Sequence, residues 1–303
     1  MPKSPNSRRK ALKVLLDAPG PLVLPGAYDA LSARLVERAG YGATYLGSYA
    51  AAASAFGLPD VGLLTLDEIA EQTKRIVDAV DIPVLADAEN GFYDFANIWR
   101  AVKVFEDTGV AGVHIEDNLG GKHTSTPLGL LPTERMASKI RAAVDARTDP
   151  DFIVIARSDA AWVEHDIDGC VRRLEAYAAA GADMVFAPAI SAVELRRVRD
   201  RIPVPVMVAG DLLDVPGSDE PSSTIAEYGD AGADVVLLWY SVIGAASKNV
   251  AAVLDALRGG KEVADVKTLV TDQRAFENSM GYAEYELRSA RYATALGTKE
   301  PKA

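Results

Sequence analysis

Four short apolar runs in this chain lead into charged or hydroxyl-bearing residues. Pro83-Val84-Leu85-Ala86 runs into Asp87 and Glu89, and Gly112-Val113-His114-Ile115 into Glu116 and Asp117. Ile153-Val154-Ile155-Ala156 runs into Arg157 and Asp159, and Thr44-Tyr45-Leu46-Gly47 into Ser48 and Tyr49. If the runs are strands of one sheet, these residues share a rim. Asp87 and Glu89 are expected on one side of an extended segment, because side chains there alternate with period two. Carboxylates brought that close need a cation. An oxygen-only set suits Mg²⁺ or Mn²⁺, since hard cations prefer carboxylate and water, and His and Cys at zinc spacing are missing. Taken singly, each acid could be a salt-bridged loop residue or a helix cap; taken together, four strand ends describe a metal centre beside an arginine. A divalent ion and a guanidinium placed at one oxygen stabilise an enolate, the species left when a C–C bond beside a carbonyl breaks or a β-keto acid loses CO₂.

The elements that position these groups are legible as a repeat. A helix-like stretch ends in Gly and an apolar run follows in Glu37 to Gly47, Glu106 to Glu116, Ala178 to Ala187 and Gly229 to Leu238. Glycine past a helix takes the left-handed conformation that ends it, and a run too apolar to alternate reads as a parallel strand covered on both faces. Four more runs follow Pro or Asp-Pro breaks, at Pro21 to Leu24, Pro83 to Ala86, Phe152 to Ala156 and Val204 to Val208. That makes eight strands. Helix-period segments lie between them, among them Thr65 to Val80, Phe95 to Thr108, Pro132 to Arg147, Asp168 to Ala180 and Ser191 to Arg201. No G-x-G-x-x-G follows an early strand, so a closed α/β barrel of eight strands (TIM barrel) over residues 1–260 is preferred to an open doubly wound sheet. A helical tail, 261–303, carries Phe276, Tyr282, Tyr285 and Tyr292, which need a surface on the barrel or on a neighbouring subunit.

Composition narrows the partners. In 303 residues, 43 Asp plus Glu against 32 Lys plus Arg leave a net charge of −11. That charge opposes binding to nucleic acid or to an anionic membrane surface. The single cysteine, Cys170, cannot form an intramolecular disulfide and indicates a reducing compartment, the cytoplasm by default. It sits at helix period and is expected to be a small packed side chain.

The strings Asp87-Ala88-Glu89-Asn90-Gly91-Phe92, His114-Ile115-Glu116-Asp117 and Ile155-Ala156-Arg157-Ser158-Asp159-Ala160 resemble the isocitrate lyase/phosphoenolpyruvate mutase superfamily. So do Leu24-Pro25-Gly26-Ala27-Tyr28-Asp29, Gly57-Leu58-Pro59-Asp60 and Gly281-Tyr282-Ala283-Glu284-Tyr285-Glu286. The resemblance covers about residues 12 to 290 and implies a barrel whose last helix is swapped between subunits of a homo-oligomer, a dimer of dimers. It implies Mg²⁺ held directly by Asp87 and through water by Asp60, Glu89 and Glu116, with Glu89 standing where the family usually has Asp. It further implies that Arg157 pairs with the substrate's carboxylate or enolate oxygen, and that Ser48, with Gly47 and Tyr49, binds the C1 carboxylate.

Asn118 to Leu131 would form the lid, with Gly120, Gly121 and Gly129 as hinges. Family lyases carry a cysteine there as acid. This lid reads Lys122-His123-Thr124-Ser125-Thr126, closer to the Lys-Thr-Asn-Ser of the mutases. Lys122 and His123 are therefore the candidate proton carriers, Thr124, Ser125 and Tyr240 candidate binding groups, and His114 and His165 are expected to be packed and solvated. Where family lyases carry Phe-Pro-Glu-Ala and a later Asn, this chain has Phe186-Ala187-Pro188-Ala189 and Gly210, which points to a smaller or less charged substrate. The function expected is Mg²⁺-dependent C–C bond cleavage of a small 2-oxo or 2-hydroxy dicarboxylate, oxaloacetate-decarboxylase-like or methylisocitrate- or dimethylmalate-lyase-like. The alternatives are phosphonopyruvate mutase or hydrolase chemistry and a non-catalytic barrel that binds 2-oxo acids.

Overall fold

In the computed structural model, which describes residues 4–121, 124, 126–211 and 223–293, eight parallel strands form one sheet. They are β1 (Leu22–Pro25), β2 (Thr44–Leu46), β3 (Val84–Asp87), β4 (Gly112–Glu116), β5 (Ile153–Arg157), β6 (Met184–Ala187), β7 (Val206–Ala209) and β8 (Val235–Leu238). From β2 onward each pairs with the next, and β8 returns to β1. A bridge between Gly26 and Tyr45 and the Ala27 N–H donating to the Tyr45 carbonyl at 2.7 Å close the ring between β1 and β2. The eight-stranded barrel is the α/β TIM fold, and every strand lies within two residues of its expected place.

Strand parity divides the core in two. Outward residues such as Val113, Val154, Val185 and Val208 pack under the helices, whereas inward residues such as Leu85, Ile155, Phe186 and Leu237 fill the barrel. Asp87, His114, Glu116 and Arg157 fall on the inward parity at the strand ends. The surrounding helices start where the sequence provides caps: Thr65 and Glu68 form a reciprocal capping box on Leu66–Ala79, and Ser191 and Glu194 form one on Ala192–Val198. Such caps satisfy backbone donors that the first helical turn leaves open.

Two elements depart from the sequence reading. The polar N-terminus forms a helix, Pro5–Leu16, whose Leu12 is fully buried with the barrel-interior residues. The tail is not continuous helix: a 3₁₀ segment, Val263–Leu269, precedes helices Gln273–Ser279 and Tyr282–Ala293. The chain divides into two compact units, one ending at Gly244 and the other beginning at Ala245. No helix among the described residues is long and apolar enough to cross a membrane.

The N-terminal helix is fixed by a buried arginine. Arg9 donates to the carbonyls of Val110 at 3.1 Å and Glu106 at 2.8 Å and pairs with Asp149 at 2.7 Å. The nearby Glu106 carboxylate accepts the Thr148 and Asp149 N–H groups. Removing one partner from such a buried set strands the others, at a cost of about 3–5 kcal/mol. Arg9→Ala is expected to lower unfolding free energy by that amount in urea titrations; a loss below about 1 kcal/mol contradicts the assignment.

Candidate active site

Strand register assembles the site. Asp87 pairs with His114 across β3 and β4, and Glu116 pairs with Arg157 across β4 and β5. Four inward side chains from three adjacent strands are thereby brought to one end of the barrel, the end at which sites of this fold form. Asp87, His114 and Glu116 each bring a potential ligand atom within 4.8 Å of the others. All three are buried.

Ser48, at the start of the short helix Ser48–Ala51 after β2, links the acids. Its hydroxyl lies 2.9 Å from Asp87 Oδ2 and 3.0 Å from Asp60 Oδ1, and its N–H donates to Asp87 Oδ2 at 3.1 Å. One hydroxyl proton serves one carboxylate at a time, and two buried acids on one hydroxyl are a setting in which a cation would be held favourably. His114 Nε2 is 2.6 Å from the Tyr45 hydroxyl and 3.6 Å from Asp87 Oδ1. With that nitrogen engaged by Tyr45, oxygen donors remain for a hard cation, and Asp87, Asp60 and Glu116 fit Mg²⁺.

Glu89 departs from its expected geometry. β3 ends at Asp87, and Glu89 has φ +50°, so the two acids are not on one side of an extended segment. The Glu89 N–H turns back to Asp87 Oδ1 at 2.7 Å. Asp87 lines a cavity of about 50 Å³ with Asp60 and Arg157, whereas Glu89 lines a neighbouring one of about 290 Å³ with Glu116. Period two fails here because the strand has already become a turn.

Arg157 is held by three oxygens. Its Nε and Nη2 donate to the two oxygens of Asp159 at 2.7 and 3.0 Å, and Nη1 lies 3.2 Å from Glu116. Burial alone pulls the guanidinium down, but Asp159 and then Glu116 outweigh it and hold the group well above its ordinary value. Asp159 is itself anchored: its N–H donates to Asp117 at 2.9 Å, and the Asn118 amide donates to its Oδ2 at 3.0 Å. Asp117 also accepts from Ser158 and Tyr177, each at 2.8 Å. Burial, and next the charge of Asp159, push its carboxyl upward.

The remaining residues are distributed as follows. Gly47 and Tyr49 line the smaller cavity, and burial raises the Tyr49 hydroxyl, with Tyr240 and Asp60 adding to it. Tyr240 is more than one-third exposed, its ring centre 6.2 Å from that of Tyr49. On the lid, a bridge joins Asn118 and Leu130, and Gly120, Gly121 and Gly129 all have positive φ, the freedom a hinge requires. Thr124 is exposed and donates to the Gly121 carbonyl. Lys122, His123 and Ser125 lie outside the described residues. His165 is exposed, whereas His114, expected to be packed, is both packed and beside the acids. Sequence reasoning also passed over the grip of Asp159 on Arg157; the two-residue spacing Arg-Ser-Asp was the available signal.

The model of the phosphoenolpyruvate phosphomutase family matches residues 12–258. The chain belongs to this family. It lies in the wider isocitrate lyase/phosphoenolpyruvate mutase superfamily. It is 36% identical to 2-methylisocitrate lyase of Escherichia coli K12, covering 93% of this chain and 95% of that protein. It is 33% identical to 2,3-dimethylmalate lyase of Eubacterium barkeri, covering 93% and 97%. Among solved structures, phosphoenolpyruvate phosphomutase from Streptomyces platensis subsp. rosaceus superposes with a TM-score of 0.82 at 31% identity, over 94% of this chain and 99% of that one.

Two outcomes follow from this geometry. Asp159→Asn places an N–H donor against Arg157, and a displacement of about 1 Å in such a group costs on the order of 100-fold. We expect kcat to fall about 10- to 100-fold while Mg²⁺ affinity is retained; unchanged kcat contradicts the positioning role. Cys170 is buried and its thiol is pushed up to about 12, mainly by burial. Only the thiolate is nucleophilic, so the native protein should resist iodoacetamide at pH 8 and react once unfolded; rapid labelling of the native form contradicts that burial.

Proposed function

We propose that this protein is a Mg²⁺-dependent carbon–carbon lyase that cleaves a small 2-oxo or 2-hydroxy dicarboxylate through an enolate. The observation that carries the reading is the inward convergence of Asp87, Glu116 and Arg157 from β3, β4 and β5. Two relatives with near-complete coverage are named as lyases, 2-methylisocitrate lyase and 2,3-dimethylmalate lyase.

Asp87 would hold the metal directly, and Asp60, Glu89 and Glu116 would hold it through water. Bound there, Mg²⁺ supplies positive charge to the oxygen on which the enolate develops. Arg157, cationic and fixed by Asp159, presents donors to the same oxygen without reorganising during the reaction. As the C–C bond breaks, its electron pair passes into the enolate while the other fragment leaves, as CO₂ from a 2-oxo acid or as a carbonyl compound from a 2-hydroxy acid whose hydroxyl proton is given up, and a proton returned to carbon completes the cycle. Lys122 and His123 on the lid are the candidate proton carriers, and Tyr240 is a third group near the opening. Ser48, Gly47 and Tyr49 would seat the C1 carboxylate, with Thr124 and Ser125 closing over it.

A phosphonopyruvate reading has the similarity to the solved mutase in its favour. Against it, Arg157 is the one cationic side chain among the described residues lining the smaller cavity, which is poor provision for a phosphonate dianion. A homo-oligomer in a cytoplasmic setting completes the proposal: Leu254, Tyr285 and Leu287 of the second unit are exposed, and a second copy of the chain would cover them.

The test is incubation with Mg²⁺ and oxaloacetate, 2,3-dimethylmalate or phosphonopyruvate. Pyruvate should form from at least one of the first two, without phosphate release from the third. EDTA should abolish turnover, and Asp87→Ala should lower it about 100- to 1,000-fold. Phosphate release alone, or turnover that survives both treatments, contradicts the proposal.

A further inference from the structure

The smaller cavity combines charged and apolar lining. Asp60, Asp87 and Arg157 line it together with Trp162, Trp239, Pro188 and Leu237. Trp162 comes from the short helix Ala160–Val163 after β5, and Trp239 directly follows β8. Both pack on the barrel-interior cluster and roof it. The Trp239 backbone N–H donates to an Asp211 carboxylate oxygen at 3.1 Å, and its ring meets Tyr49 edge-on with centres 4.9 Å apart. The cavity they leave measures about 50 Å³. A single water needs roughly 10–15 Å³ of such space, so the guest beyond the reacting carbons is a few non-hydrogen atoms across.

We propose that Trp162 and Trp239 are specificity-determining residues that restrict the substrate to a two-carboxylate acid with a short substituent and reject tricarboxylates. The inference rests on the lyase reading and narrows it. A third carboxylate against the two indoles would exchange much of its water for aromatic and aliphatic surface, with Arg157 the one cationic side chain among the described lining residues to answer its charge. Arg157, the cation among the described lining residues, is already engaged by Asp159 and Glu116. The neighbouring cavity of about 290 Å³ offers no relief. Its described walls carry Glu89 and Glu116 beside apolar side chains such as Leu64 and Leu128, so a carboxylate there meets like charge. The Asn118 amide on that wall is committed to Asp159.

The full chain is tested by isothermal titration calorimetry with Mg²⁺ present, using oxalate, methylsuccinate and propane-1,2,3-tricarboxylate. The last two differ only by the third carboxyl group. Wild type is expected to bind oxalate and to prefer methylsuccinate over the tricarboxylate by about 100-fold. Trp162→Ala should reduce that preference by about tenfold or more, and Trp162→Phe should retain most of it. If Trp162→Ala does not fold by circular dichroism, Trp239→Leu carries the same expectation. Equal binding of the two acids by wild type, or a preference that the folded variants leave unmoved, overturns the proposal while oxalate binding leaves the lyase reading standing. Failure of oxalate to bind removes the lyase reading and this inference with it.

Discussion

Like charge crowded into a buried rim is the constraint on which the rest of this structure depends. Asp60, Asp87, Glu89, Glu116 and Asp159 are all buried around one barrel end. Arg157 neutralises part of that charge through Glu116 and Asp159. Asp60 and Asp87 share the Ser48 hydroxyl between them. Charges withdrawn from water persist only when paired, and an oxygen-rich set of this kind suits a divalent cation. The crowding of like charge that burial makes costly is the property on which the proposed metal and enolate sites would draw.

The barrel meets this constraint through register. Pairing Asp87 with His114 and Glu116 with Arg157 requires β3, β4 and β5 to be staggered as they are, and inward parity then aims all four side chains into the barrel mouth. Behind them a second layer holds the arginine. Asp117 ties the backbone of Asp159 to Ser158 and Tyr177, and Asn118 adds a donor from the base of the lid. An oxyanion-binding group fixed beforehand costs no reorganisation when charge develops, and this buried layer would give Arg157 that fixity in the proposed reaction.

Much of this was legible because barrel strands announce themselves twice, by apolar runs and by the glycine or proline that precedes them. All eight strands and the rim residues Asp87, Glu116 and Arg157 followed from that pattern. The losses have physical causes. Glu89 follows the strand parity in sequence but adopts a left-handed turn, which no periodicity encodes. His114 reads as a packed strand residue because its partner Tyr45 is 69 residues away. The N-terminal helix was hidden by its charge: Arg8 and Arg9 are buried, and a buried arginine is recognisable only once its carbonyl and carboxylate partners are known. The tail breaks at Gly281, and its first segment is 3₁₀, opened by the reciprocal capping of Glu262 and Asp265, which hydrophobic period does not encode.

The central claim is that these acids and Arg157 surround one divalent ion and one oxyanion. Crystals grown with Mn²⁺ and oxalate, recorded at the manganese absorption edge, test it most directly. The account predicts a single anomalous peak at about 2.0–2.2 Å from an Asp87 oxygen, the distance small octahedral cations adopt. Oxalate should bridge that peak to the Arg157 guanidinium, with Asp60 and Glu116 reached through water. A peak elsewhere, or oxalate bound without contact to Arg157, contradicts the account.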